Sequence, residues 1–456
     1  MTRARPVARV RRPGTRVRFA VVLVAAGLAA LLAGALVVGD GAPEADPSGP
    51  AGAGALVGWG LPLVTLAGRV AAVGAVGSLL LAAVLLPGRD GLPAESLRAL
   101  RAASSWALVW ATAAALGALL TVSRLLGVSP TALTWAPLRV FLEDTGAGRA
   151  ALLVVALAGL VGVAARRCTG VLAAVSLLLP AGAALVVPVV LSGHSSAAED
   201  HLLAVTTLGV HVVAATVWVG GLLALLLHAR HGAAARVAAP RFSRLALACF
   251  LLVTASGVLG AGLLLGGTAG ALAALGTGYG ALLLAKTAGL TVLGVLGALH
   301  RQYTLPRLAA GDDREFRRFA AGEVVLMLAT VALAVALAAS PPPAGAGHAA
   351  ASGTAPAAGA DPMAGHDHGE LSVGVLVDDE RFHVAGPVAP GARVTVFNSS
   401  AAEATLTAAD GSFDVVVPGG TLTTFLAPAT PGPHAFASRH SPGHADVLVV
   451  QSSSVR

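Results

Sequence analysis

The sequence predicts an all-α polytopic membrane bundle of about nine transmembrane helices, followed by a small extracytoplasmic all-β sandwich. Three observations carry that expectation. Hydrophobic residues make up 56% of the 456 positions and charged residues only 12%, a balance that fits neither an ordinary soluble domain nor a disordered chain. Apolar stretches recur along residues 18–340, most of them near the about 20 residues needed to cross roughly 30 Å of hydrocarbon. Residues 370–452 then alternate apolar and polar side chains between turn signals, as short strands do.

The elements follow in order. Residues 1–17 form a basic arm. The candidate spans lie near 18–39, 58–86, 102–123, 150–165, 170–191, 202–227, 243–266, 279–299 and 319–340. The first could be a signal peptide, but its apolar core is longer than the usual 7–15 residues, so it reads as an anchor. Residues 341–369 open with Pro341-Pro342-Pro343 and continue in Ala, Gly and His, which is linker composition. Residues 370–456 are the sandwich. Arg393–Phe397, Phe413–Val417 and Asp446–Val450 read as strands, with turns at Ala389-Pro390-Gly391, Asp410-Gly411 and Pro418-Gly419-Gly420.

The net charge of +7 is a topology signal and no sign of a nucleic-acid partner. With the N-terminus inside, the inner segments hold seven Arg through residue 18, three in 87–101, two at 166–167, four in 228–244 and five in 300–318. The outer loops hold only Arg124, Arg139 and Arg149. Cytoplasmic loops carry such an excess, so the N-terminus is expected inside and the C-terminal sandwich outside the cell membrane, with the bundle in contact with lipid. Cys168 and Cys249 lie on different segments without ligand-like spacing, so neither a disulfide nor a zinc site is expected.

The chemistry-bearing residues are those that a bilayer should exclude. The sixth span carries His201 and His211, with His194 just upstream. Ten residues at about 1.5 Å each separate His201 from His211 by roughly 15 Å. A ladder therefore fits better than one shared site: an outer pair, His194 with His201, then His211 deeper. His211 and Trp218, seven apart, face one side. The plain alternative is an imidazole hydrogen-bonded between helices.

Tyr279, Lys286 and His300 fall on one face of the eighth span, and Glu323 and Met327 on one face of the ninth. Carboxylate and thioether together suit a passing metal ion, since soft sulfur prefers Cu(I). The alternative is a structural pair of Glu323 with Arg69 or Lys286. His228 and His231 read as a solvated loop or an exit relay. In the linker, Met363, His366 and His368 can chelate a divalent or cuprous ion without any fold.

The run from His201 through His211 to Trp218-Val-Gly-Gly-Leu resembles the copper-resistance D (CopD) membrane family. Arg241-Phe-Ser-Arg244, Tyr279-Gly to Lys286, His300-Arg301 to Pro306, and Glu323 follow in order. The resemblance is close over 190–341 and looser over 58–190. It implies copper transport, or copper handling without enzymatic turnover, and makes His194, His201 and His211 the expected metal site. Residues 370–456 resemble a cupredoxin. A blue-copper site needs two His, one Cys and usually an axial Met. Here the first histidine position falls near Ala404 and the cysteine position near Ser438, so no type 1 centre is expected, and His434, His440 and His444 remain as weak Cu(II) ligands.

The expected function is thus copper uptake or copper handling. The sandwich and linker collect the ion, His194 and His201 receive it, and His211 passes it inward, more weakly in acid as imidazoles protonate. An extracytoplasmic copper-binding protein is an expected partner. A copper sensor or assembly partner without transport is one alternative. A haem protein with His211 and His300 as axial ligands is the other.

Overall fold

The computed structural model describes residues 15–43, 54–88, 91–125, 128–191, 198–265, 267–341, 374–377, 381–384, 387–388, 390–398, 400, 402–419, 422–440 and 444–451. Among them, nine helical stretches are long and apolar enough to cross a membrane. The bundle is built from α1 (Thr15–Val38), α2 (Ala55–Leu80), α3 (Ala94–Leu125), α4 (Trp135–Asp144), α5 (Gly146–Arg167), α6 (Val171–Ser176), α7 (Leu178–Leu191), α8 (Ala198–His228), α9 (Gly232–Leu265), α10 (Thr268–Ala274), α11 (Gly278–Leu299), α12 (Leu305–Ala309) and α13 (Arg314–Ala338). Each expected span is present, and most run past their apolar core. At about 1.5 Å per residue, the 34 residues of α9 exceed the hydrocarbon thickness and carry Arg236, Arg241 and Arg244 at one end.

Local chemistry explains the irregularities. The fifth span is two helices, α6 and α7, broken at Leu177. Pro180 sits three residues on, lacks an N–H and clashes with the carbonyl four residues back. One-turn π segments end two spans, at Leu81–Leu85 after α2 and at His300–Thr304 after α11. Such bulges often mark functional positions.

The helices alternate in direction, which gathers the arginines at one end, called the basic end below. There Arg241 Nη1 donates to the Leu85 carbonyl at 2.9 Å, and His231 meets Asp313 at 3.0 Å. At the far end, a Cβ on Gly41 would meet the Ala339 carbonyl, joining the ends of α1 and α13.

The order of elements repeats. A long helix, a short helix, Thr-Gly-x-Gly and a 22-residue helix occur as α3–α4–α5 and again as α9–α10–α11. Thr145 caps α5 by accepting from Gly148 N at 2.9 Å, and Thr277 caps α11 by accepting from Gly280 N at 3.1 Å. These caps satisfy donors that a helix start leaves orphaned. At the basic end Arg166 Nε donates to Ser104 Oγ at 2.8 Å, and Arg301 Nε donates to Ser243 Oγ at 3.0 Å. The helices preceding each unit, α2 and α8, cross at Gly77 and Gly220, where a Cβ on either would strike the other's backbone. Small residues permit the close approach that packing inside a bilayer rewards.

The C-terminal unit has two four-stranded sheets. Its strands are β1 (Val375–Val377), β2 (Phe382–Val384), β3 (Arg393–Asn398), β4 (Ala404–Ala408), β5 (Asp414–Val417), β6 (Leu422–Leu426), β7 (Gly432–Ala437) and β8 (Ala445–Val450). The orders are β2-β1-β3-β6 and β5-β4-β7-β8. All pairs are antiparallel except β1 with β3. Val375, Val396, Leu406, Val417, Phe436 and Leu448 fill the core, each from the inward face of a period-two strand. The three strands expected from sequence are β3, β5 and β8.

Candidate metal centre in the helix bundle

Two polar layers interrupt the apolar interior. The first lies toward the far end. His211 on α8 packs against α9, its Nδ1 3.0 Å from Ser256 Oγ. Ser256 Oγ donates its own proton to the Leu252 carbonyl at 2.5 Å, so it accepts Nδ1–H from His211. The network leaves Nε2 as the lone-pair nitrogen of the neutral imidazole. Gly257 makes room: a Cβ there would stand 3.6 Å from His211 Cε1. Lys286 on α11 is close enough to interact electrostatically with His211, and Arg69 on α2 with Lys286.

The second layer lies toward the basic end. His300 opens the π segment, with Nδ1 2.6 Å from Thr304 Oγ1. Thr304 gives its proton to the His300 carbonyl at 2.9 Å, so again the hydroxyl accepts Nδ1–H and Nε2 keeps the lone pair. That Nε2 is buried and has no hydrogen-bond partner. It stands 3.0 Å from Oε2 of Glu323, within ion-pair distance. Among the described residues, Glu323 is the only buried carboxylate. Phe316 and Phe319 pack edge-on to the imidazole. A cavity of about 150 Å³ opens beside the pair, lined by Trp218, Phe242, Phe250, Gly294, Gly297 and Arg301.

His211 and Trp218 do share a face: both pack on α9, Trp218 edge-to-face with Phe250 at 5.7 Å. Glu323 and Met327 are both buried on α13. The structural pairing expected for Glu323, with Arg69 or Lys286, is not the one formed; its partner is His300. The reason is height. His300 lies 14 residues beyond Lys286 on one continuous span, about 21 Å along the axis. His211 interacts with Lys286 and so belongs to the layer away from His300, whereas two axial haem ligands sit on opposite faces of one iron, about 4 Å apart at metal–nitrogen bond lengths near 2 Å. His194 lies outside the described residues, as do Met363, His366 and His368. His201 lies in α8, and its side chain is not described.

At the basic end His231 is exposed and holds Asp313 below the ordinary carboxylate range, chiefly through their hydrogen bond. It is a surface contact.

In the sandwich, His434 is spent structurally. Its Nδ1 donates to Asp410 Oδ2 at 2.5 Å and its Nε2 to the Thr430 carbonyl at 2.9 Å, leaving no lone pair for a metal. The hydroxyl and N–H of Ser412, then His434, hold the Asp410 carboxyl down at about 2. The Thr430 carbonyl, then Asp410, push the His434 pKa up. His440 lies 3.6 Å from Glu403, and the buried His444 sits edge-on to Phe382. Ala404, Ser438 and His444 do come together: Arg439 N donates to Thr405 Oγ1 at 2.7 Å and Ser438 N to the His444 carbonyl at 2.9 Å. No group of three His, Cys, Asp or Glu poised for a metal occurs among the described residues.

Spacing misses two hydrogen-bond partners of the buried histidines, Ser256 and Thr304. Thr304 was within reach, four residues after His300 on one helix face. Ser256 was not, because its helix and register against α8 are tertiary facts.

One comparison bears on what these layers serve. Residues 236–337 match the family model of copper resistance protein D, CopD. The match spans α9 to α13. It contains His300, Thr304 and Glu323 of the second layer, with Ser256 and Lys286 of the first, and stops short of His211, Trp218 and the sandwich. No curated protein and no solved structure matches the chain. The chain therefore combines a bundle of helices long and apolar enough to cross a membrane with a segment similar to a copper-resistance family.

Proposed function

We propose that the protein carries copper ions across the bacterial inner membrane, inward, with the basic end in the cytoplasm and the sandwich outside. The observation that supports this reading most is the His211–Ser256 arrangement inside a bundle whose next three spans match a copper-resistance family. An imidazole that donates Nδ1–H to a fixed acceptor and presents Nε2 is the form in which histidine binds metals, and the second partner sets both tautomer and orientation. Lys286, in its protonated form, repels a cation held there. That repulsion shortens its stay, and conduction needs sites favourable enough to enter and weak enough to leave. The cupredoxin-like sandwich, lacking a cysteine and with His434 engaged, serves as a docking or weak Cu(II) domain without a type 1 centre.

The test is copper flux into proteoliposomes containing the intact chain. Flux above protein-free vesicles is expected. Bound copper without flux would turn the reading to the second one, a sensor or assembly partner.

A further inference from the structure

The geometry points to a second cation site that no resemblance assigns, made by His300 Nε2 and Glu323 Oε2 toward the basic end. Two lone-pair atoms 3.0 Å apart and away from water repel unless something positive lies between them. A shared proton would make a hydrogen bond of this contact, and Nε2 makes none. A metal ion fits the gap. With bonds of about 2 Å to each atom, a 3.0 Å separation closes an angle of roughly 95° at the ion, within the range of small first-row sites. Imidazole plus carboxylate selects a divalent first-row cation, Cu(II) or Zn(II), over a thiophilic Cu(I). The adjoining cavity has room for the remaining ligands.

The internal repeat sharpens the point. Arg166 with Ser104 and Arg301 with Ser243 are the same clamp in the two halves. In the first half the residue before the arginine is the buried Ala165. In the second it is His300, on a π segment, backed by Thr304 and faced by Glu323. The clamp does not need the histidine, so the histidine serves something else. The site stands independently of transport; only naming copper as its ion rests on the proposed function.

The experiment is equilibrium dialysis of the full chain in lipid nanodiscs against Cu(II), then Zn(II), with electron paramagnetic resonance of the copper form. Wild type should hold one more ion per chain than His300→Gln or Glu323→Gln, and the copper signal lost should carry nitrogen hyperfine structure. Thr304→Val, close to isosteric, should weaken that ion about 10–100-fold, the usual effect of removing a ligand's supporting partner, and Thr304→Ser should restore it. Equal ion counts in wild type and both ligand variants would overturn the site, as would full affinity in Thr304→Val. His211→Ala separates the two proposals. An ion lost there but not in His300→Gln keeps the first layer and removes the second; the opposite result does the reverse.

Discussion

Ser256→Ala deletes one oxygen and tests what that oxygen does. In the wild-type protein it accepts Nδ1–H from His211 at 3.0 Å and donates to Leu252 at 2.5 Å. Without it the imidazole is free to rotate and to change tautomer, so Nε2 no longer presents a fixed lone pair. Loss of such a supporting partner lowers metal affinity about 10–100-fold, or roughly 1.4–2.7 kcal/mol. Stability should barely move. The lost hydrogen bond is worth about 1 kcal/mol, and alanine returns roughly 0.5 kcal/mol of helix propensity. The assay is a chelator-competition titration, with the copper retained by His211→Ala subtracted, beside a thermal unfolding curve. An unchanged affinity would refute the reasoning. So would an affinity loss that merely tracked a fall in melting temperature, since that would make Ser256 a packing residue.

Three further outcomes are expected. Gly220→Val forces a side chain against the Val73 carbonyl and to within 3.0 Å of Gly77 backbone atoms; backbone cannot rotate aside, so destabilisation should reach the upper part of the about 1–3 kcal/mol range for overpacking, and a wild-type melting temperature would show that α2 and α8 do not cross there. In the sandwich, the depressed Asp410 pKa gives stability that is complete above the ordinary aspartate value near 4 and fades as pH falls toward about 2; the raised His434 pKa gives stability that is complete below about 6.5 and fades as pH rises through the folded value. Hydrogen-exchange protection of β7, corrected for intrinsic rates, should therefore peak between roughly pH 4 and 6.5, and Asp410→Asn should flatten the profile; a flat wild-type profile would count against the pair. His231→Ala removes only an exposed contact, worth about 1 kcal/mol or less, so copper flux should be unchanged, and a large loss would revive the exit relay.

The spans were legible because hydropathy is a local property, readable wherever about 20 apolar residues run together. The break at Leu177 was written in Pro180, and the repeat in Thr145-Gly-Ala-Gly148 and Thr277-Gly-Tyr-Gly280, although neither motif stands out until the structure aligns the halves. Strands β3, β5 and β8 showed through alternation, whereas β1 and β2, three residues each, are too short to carry a period. The buried histidines were visible as anomalies in apolar runs. Their roles were not, because tautomer and pairing depend on groups brought in from elsewhere: the Ser256 hydroxyl from the neighbouring helix and the Glu323 carboxylate from the last span. His434 shows the same limit from the other side. Its spacing from His440 and His444 suggests a ligand, and only the fold reveals that Asp410 and Thr430 have taken both nitrogens.

The central claim is that copper passes the imidazole of His211. The most direct test is copper uptake by proteoliposomes holding the intact chain, beside His211→Ala reconstituted at equal density and equal lipid composition. The account predicts flux in the intact protein that collapses in the variant while the variant still reconstitutes with wild-type helicity. Equal flux in both would contradict it.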